Sequence, residues 1–275
     1  MNNLALRTVS GIGFGAVMLA CLLLDKFLFL VLIMFMMTVM MAEFYRMTMG
    51  ESYRLQRVMA MASGCILCLM VFIHCAFGVP ARFIALSIIP VIVLMVCTLY
   101  IKDRSGYGKF AFLFTGILYL AVPCSLSSFV AFHSGEFNTL LMLEFFILIW
   151  CSDIGAYAFG CALGQKHGKK LFPEISPKKS WIGFWGGLFL AILASCIMHW
   201  TGLFDFSIVH CIILAILMNV AGVFGDLFES QWKRYCGIKD SGNIIPGHGG
   251  MLDRFDSALF AIPVGAVYMA LTNLL

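Results

Sequence analysis

Apolar residues run in nine long blocks along this chain, roughly 8–24, 27–43, 58–77, 83–101, 110–132, 139–160, 182–201, 207–228 and 256–274, with short polar breaks between them. A hydrocarbon core about 30 Å thick is crossed by a helix of about 20 apolar residues, and the blocks reach or approach that length. None alternates with the period of two expected of a membrane barrel strand. Backbone amides in lipid must be satisfied within their own segment, which leaves helices. The pattern therefore predicts an all-α, polytopic transmembrane helical bundle of about nine spans. Only Asp25 and Lys26 divide the first two blocks. A single bent helix there, and eight spans in all, is the alternative.

Composition points the same way. The chain has 275 residues, 62% hydrophobic and 12% charged, whereas a soluble domain is about 45–50% apolar and about 25% charged. The net charge of +4 is spread over short loops with no basic tract, which argues against a nucleic-acid partner. Most of the 11 Cys sit inside apolar blocks. Cys65 and Cys68 form an isolated CxxC and read as small buried side chains, not a metal or redox site. Arg7 followed by an apolar run has the outline of a signal peptide. No small-residue cleavage site follows it and the next block begins at once, so the run reads as a retained span.

Charge also orients the chain. With nine spans, every Lys and Arg except Lys26 and Arg82 falls on one side, and the positive side is cytoplasmic. The expectation is a protein of the cytoplasmic (inner) membrane, N-terminus inside and C-terminus outside, with its active site facing the cytosol. Residues 1–135 read as N-terminal transmembrane helices. Residues 136–275 read as a catalytic transmembrane region with two long cytoplasmic loops, 161–181 and 229–255.

Chemistry-bearing residues are concentrated in that second region. The stretch from Ser230 to Asp256 is dense in carboxylates and cations in a chain that otherwise avoids both. Within it His248 lies among Gly247, Gly249 and Gly250, a loop whose backbone N–H groups can approach a phosphate closely. Lys233, Arg234 and Lys239 precede it. Asp253 and Asp256, three apart at the start of the last span, share a helix face. Carboxylates beside a phosphate site suit Mg²⁺, which is usually held by one or two carboxylates plus substrate phosphates. On a helical wheel Asn219, Gly222, Asp226, Glu229, Ser230 and Lys233 align, opposite Val220, Val223, Phe224, Leu227 and Phe228. A polar stripe along a membrane helix faces the bundle interior or a wet cavity. Asp226 and Ser230, four apart, can reach one ion. A second cluster sets Asp153 inside an apolar span, at an insertion cost of about 2.5–3.5 kcal/mol if ionised. The turn Ser176-Pro-Lys178-Lys179-Ser180 supplies two ammonium groups at the same membrane face. Glu144 points away and is left out. Lys166, Lys169 and Lys170 read as surface anchors for anionic lipid, and His74, His133, His199 and His210 as interfacial.

From Ser230 to Asp256 the chain resembles the phosphatidate cytidylyltransferases, or CDP-diacylglycerol synthases. Their signature is Ser-x-x-Lys-Arg, four residues, Lys-Asp, and a short gap to Pro-x-His-Gly-Gly-x-x-Asp-Arg-x-Asp. Asp153-x-x-Ala156-Tyr157 and Ser176-Pro177-Lys178-Lys179 resemble further motifs of the family. Trp232 stands where an aliphatic residue is usual, and Ile182 where a Glu often precedes Gly183. The resemblance implies transfer of a cytidylyl group from CTP to phosphatidic acid, with Mg²⁺, a second cation such as K⁺, and a homodimer in the bilayer. It implies Asp226, Ser230, Asp253 and Asp256 around the metal, with Lys179 beside them in catalysis. It implies a substrate-binding set of Asp153, Lys178, Ser180, Lys233, Arg234, Lys239, Asp240, His248, Gly249, Gly250 and Arg254.

Two other functions compete. Buried carboxylates also suit an ion-coupled transporter, but such sites usually lie at the bilayer midplane between repeated halves. Here the charges gather at helix ends and no repeat is visible. Membrane phosphotransferases that use a CDP-linked lipid place Asp residues around an Asp-Gly pair, which this chain lacks.

Overall fold

A computed structural model describes residues 3–101, 106–164, 168–244 and 249–274. The chain is helical nearly throughout. The helices are α1 (Asn3–Leu24), α2 (Lys26–Met49), α3 (Arg54–Phe77), α4 (Ala81–Leu99), α5 (Tyr107–Ala131) and α6 (Leu140–Gly164). After a short hairpin of β1 (Lys170–Phe172) and β2 (Ser176–Ser180) come α7 (Trp181–Trp200), α8 (Ile208–Tyr235), the single turn α9 (Leu252–Phe255) and α10 (Ala258–Leu271). Among the described residues eight helical segments are long and apolar enough to cross a membrane: α2 to α8 and Leu252–Leu271. Gly13–Leu24 of α1 is a shorter apolar helix. Asp25 caps the start of α2, its Oδ1 accepting from the Phe27 and Leu28 amides at 2.8 and 3.3 Å. The first two helices are therefore distinct elements, not one bent helix.

The chain divides into two compact units. The first is Met1–Thr139 with Ile238–Arg254, and the second is Leu140–Gly237 with Phe255–Leu275. In the first, Phe29, Phe44, Tyr45, Phe72 and Leu94 are fully buried, and the Tyr45 hydroxyl donates to the Leu113 carbonyl at 2.8 Å. On α4, Ile88, Ile89, Ile92, Val93, Val96 and Leu99 are exposed. In water that face would be a liability; against acyl chains it costs nothing, because lipid is as apolar as the side chains. Buried serines in α3 and α5 return their hydroxyls to carbonyls one turn back, as Ser63 does to Met59 and Ser125 to Ala121.

The second unit is held by small residues. A methyl group at Gly155 would sit 2.5 Å from the Gly186 carbonyl oxygen, and one at Gly187 would sit 2.8 Å from that of Ser152. α6 and α7 thus approach backbone to backbone, the usual way membrane helices gain packing without a hydrophobic driving force. α8 and α10 meet similarly at Gly225, where a methyl would lie 2.5 Å from the Asp256 carbonyl oxygen. Ser152 Oγ donates to Asn219 Oδ1 at 2.7 Å and ties α6 to α8.

Candidate active site

Those close approaches decide where the charged side chains of the second unit lie. Asp153 is carried by α6, Asp226 and Ser230 by α8, and Asp256 by the break between α9 and α10. The hairpin brings Lys179 to them: its Nζ lies 2.5 Å from Asp226 Oδ2. Ser230 Oγ donates to Asp226 Oδ1 at 3.2 Å, so both oxygens of Asp226 are engaged. Asp256 interacts electrostatically with Asp226, Asp153 and Lys179. Asp153 interacts with Asp226 and Lys179. Asp153 and Asp256 therefore lie within electrostatic range of the Lys179–Asp226 pair. The cluster is open: the side chain of Asp226 is 33% exposed and that of Lys179 24%, while Asp153 is exposed and Asp256 half-buried.

Ser176–Ser180 forms a strand, where the sequence suggested a turn, and that separates its two lysines. Neighbouring side chains on a strand point to opposite faces. Lys179 turns to Asp226, whereas Lys178 is exposed on the other face. Ser180 ends the strand as the N-cap of α7: its Oγ is buried and accepts from the Gly183 amide at 3.2 Å. Further along α8 the polar stripe is directed inward, with Asn219, Gly222, Glu229 and Ser230 buried. On the opposite face Phe224 is exposed and Leu227 buried. Lys233 pairs with the fully buried Glu229 one turn back. Arg234 is exposed and its Nε donates to the Ile175 carbonyl at 3.4 Å, tethering the hairpin to the end of α8.

In the first unit Ser241, Gly250, Met251 and Leu252 are held by two carboxylates. Asp253 Oδ2 accepts from the Ser241 amide (2.9 Å), the Ser241 hydroxyl (3.0 Å) and the Gly250 amide (2.8 Å). The second is Glu43 of α2, which the sequence reading missed. Its Oε1 accepts from the Met251 amide at 3.0 Å, and its Oε2 from the Leu252 amide at 2.8 Å. Together they satisfy amides at the start of α9, which has no preceding turn to do so. Gly249 has φ 83°, a conformation that favours glycine, and a methyl there would sit 2.8 Å from Asp253 Oδ2. The Gly250 amide, expected to face a phosphate, is given to Asp253. Lys239, Asp240 and Arg254 are exposed. His248 and Lys166 lie outside the described residues. One signal was available for Glu43: it is the only acidic residue between Lys26 and Met49, and an ionisable group inside a membrane span is a functional candidate by default.

The donor set fits a divalent cation. Among the described residues no group of three or more His, Cys, Asp or Glu forms a ready-made metal cage. Mg²⁺ does not need one, since it keeps waters and is commonly bound by one or two carboxylates plus substrate phosphates. Asp226 and Asp256, with the Ser230 hydroxyl that donates to Asp226, offer that partial set.

Apolar helices in this number define a polytopic integral membrane protein. The chain belongs to the cytidylyltransferase family, whose profile matches residues 5–272. It is similar to the phosphatidate cytidylyltransferase of Staphylococcus haemolyticus, 38% identical over 173 residues, which is 62% of this chain and 64% of that protein. It is also similar to those of Bacillus subtilis, 33% identical over 178 residues (65% of each chain), and Staphylococcus aureus, 38% identical over 168 residues (61% of this chain and 62% of that protein). The chain thus spans less than two thirds of the length of the curated relatives it matches.

Proposed function

We propose that the protein transfers the cytidylyl group of CTP to phosphatidic acid, giving CDP-diacylglycerol and pyrophosphate for phospholipid biosynthesis. The observation that carries this reading is the Lys179–Asp226 pair inside an open, carboxylate-rich cluster. A phosphate-bearing substrate can take over the ammonium while a cation takes over the carboxylates. A phosphatidate oxygen attacks the α-phosphorus of CTP, and the bond from that phosphorus to the bridging oxygen of pyrophosphate breaks. The nucleophile is already an anion, so no strong base is needed. Such transfer depends on positioning and charge neutralisation more than on covalent catalysis. Lys179 holds phosphate oxygens, and Lys178, on the outer face of the hairpin, adds positive charge nearby. Asp226, Ser230 and Asp256 would hold Mg²⁺, which supplies Lewis-acid stabilisation of the leaving charge when bound. Asp253, the fourth residue of the expected metal set, belongs to the first unit and organises the glycine-containing segment.

K⁺ as a second cation, a homodimer, and a cytosol-facing site in the cytoplasmic membrane belong to the same proposal. The full chain in detergent, given labelled CTP, phosphatidic acid and Mg²⁺, is expected to form CDP-diacylglycerol. Asp226→Asn and Asp256→Asn are expected to lose turnover while eluting as folded protein. Wild-type turnover in both variants would remove the assignment. Ion flux in liposomes with no nucleotide turnover would favour the transporter instead.

A further inference from the structure

We propose that Glu43 is a positioning residue, the internal brace that sets the backbone of residues 250–252 beside Ser241 and thereby aims Asp253. Its side chain reaches across about 200 positions of sequence to this segment, with hydrogen bonds from Met251 and Leu252 at sequence separations of 208 and 209. Its two oxygens divide the work: Oε1 fixes the Met251 amide, while Oε2 fixes the Leu252 amide and lies 3.3 Å from the Ser241 hydroxyl. That hydroxyl has one proton and two carboxylates within reach, with Asp253 Oδ2 the nearer at 3.0 Å. Glu43 and Asp253 thus grip the same strip of chain from two sides, Glu43 at 251–252 and Asp253 at 241 and 250.

Two glycines are shaped to this brace. A methyl at Gly250 would lie 2.7 Å from Glu43 Oε2, and one at Gly242 would overlap the same carboxylate. The side chain is only 6% exposed, so it does not touch a soluble ligand. Its contacts are with backbone amides and a hydroxyl, which is the signature of a group that acts through others. An amide in place of the carboxylate would present an NH₂ to one of the two backbone N–H groups and lose that bond. An aliphatic side chain would lose both.

The test compares Glu43→Gln and Glu43→Leu with wild type, each as the full chain in detergent. Hydrogen exchange at the Met251 and Leu252 amides does not depend on activity. It is expected to quicken about tenfold in Glu43→Gln and further in Glu43→Leu, with α6 to α8 unchanged. Unchanged exchange at 251 and 252 overturns the proposal. The activity arm rests on the cytidylyl reading. The half-saturating CTP is expected to rise at least fivefold in Glu43→Gln, because Gly249 and Gly250 belong to the expected phosphate-binding set, with the phosphatidate KM within twofold of wild type. A lost folded fraction would lower the amplitude and leave the half-saturation in place, and that result also overturns the proposal. Should both Glu43 variants fail to fold, Ser241→Ala removes the shared hydroxyl alone. It is expected to quicken exchange over 250–252 about threefold, and wild-type exchange there counts against the brace. Wild-type protein that forms no CDP-diacylglycerol would refute the cytidylyl reading, and the exchange result would still decide the role of Glu43.

Discussion

Lys178 and Lys179 are neighbours of identical chemistry, and only the strand geometry of Ser176–Ser180 tells them apart. Lys179 meets Asp226 at 2.5 Å, so it is held where a phosphate would arrive, with its rotamer freedom already restricted. Lys178 is exposed and would pay the full ordering cost of a flexible side chain on engaging a ligand. A hydrogen bond to a charged group contributes about 1.5–3 kcal/mol, equivalent to roughly 10- to 150-fold in rate. Lys179→Met is expected to fall near the upper end of that range in kcat/KM for CTP, and Lys178→Met to lose less than about tenfold. Equal losses in steady-state assays would mean that strand alternation does not rank the two. Lys233, on α8, also meets a carboxylate. The resemblance implies a phosphate ligand there, and in the structure the side chain pairs with fully buried Glu229.

Among elements, the contact between α8 and the start of α10 bears most on the site. A methyl at Gly225 would meet the Asp256 carbonyl oxygen at 2.5 Å, and backbone cannot yield as a side-chain tip can. At Gly222, one turn earlier, the nearest atom is Ser257 Cβ at 3.5 Å, ordinary contact. Gly225→Ala is expected to destabilise by about 1–3 kcal/mol and to depress turnover further, because the helices part where Asp226 faces Asp256. Gly222→Ala is expected to be neutral or slightly stabilising, since Ala is the better helix former. Thermal unfolding in detergent and CTP turnover check both, and indistinguishable variants would remove this contact from the account. The spans themselves were legible because lipid demands about 20 apolar residues, a signal spread over the whole helix. The hairpin was not: β1 and β2 are three and five residues long, and β2 contains Pro177, which reads as a turn. The break at Asp256 and Ser257 was not legible either: the three-residue spacing put Asp253 and Asp256 on one helix face, whereas the helix that carries Asp253 ends at Phe255. Asp153, Asp226 and Asp256 were legible as charges where charge is expensive. Glu43 met that criterion too, but it lies far in sequence from every group it serves.

At the scale of the whole chain, the open question is which side of the bilayer each connection faces. The Lys and Arg residues settle on alternate connections, leaving only Lys26 and Arg82 on the other side, and the positive side is expected to be cytoplasmic. That places the end of α6, the hairpin and the end of α8 inside, and the C-terminus outside. Cys161, exposed near the end of α6, is a native probe of that assignment. A membrane-impermeant maleimide is expected to label it in inside-out vesicles and not in intact cells, with the site mapped by mass spectrometry. Labelling in intact cells would invert the orientation. The N-terminus depends on α1 alone. If α1 crosses, nine crossings put the two termini on opposite sides; if only the eight longer segments of α2 to α10 cross, both lie outside. Asn3→Cys separates the cases, since the nine-span arrangement predicts protection of this thiol in intact cells. Asp25 and Lys26 form the entire outer connection in that arrangement. The Asp25 side chain satisfies two amides of α2 there, so the chain can reverse direction without leaving polar backbone bare at the lipid boundary.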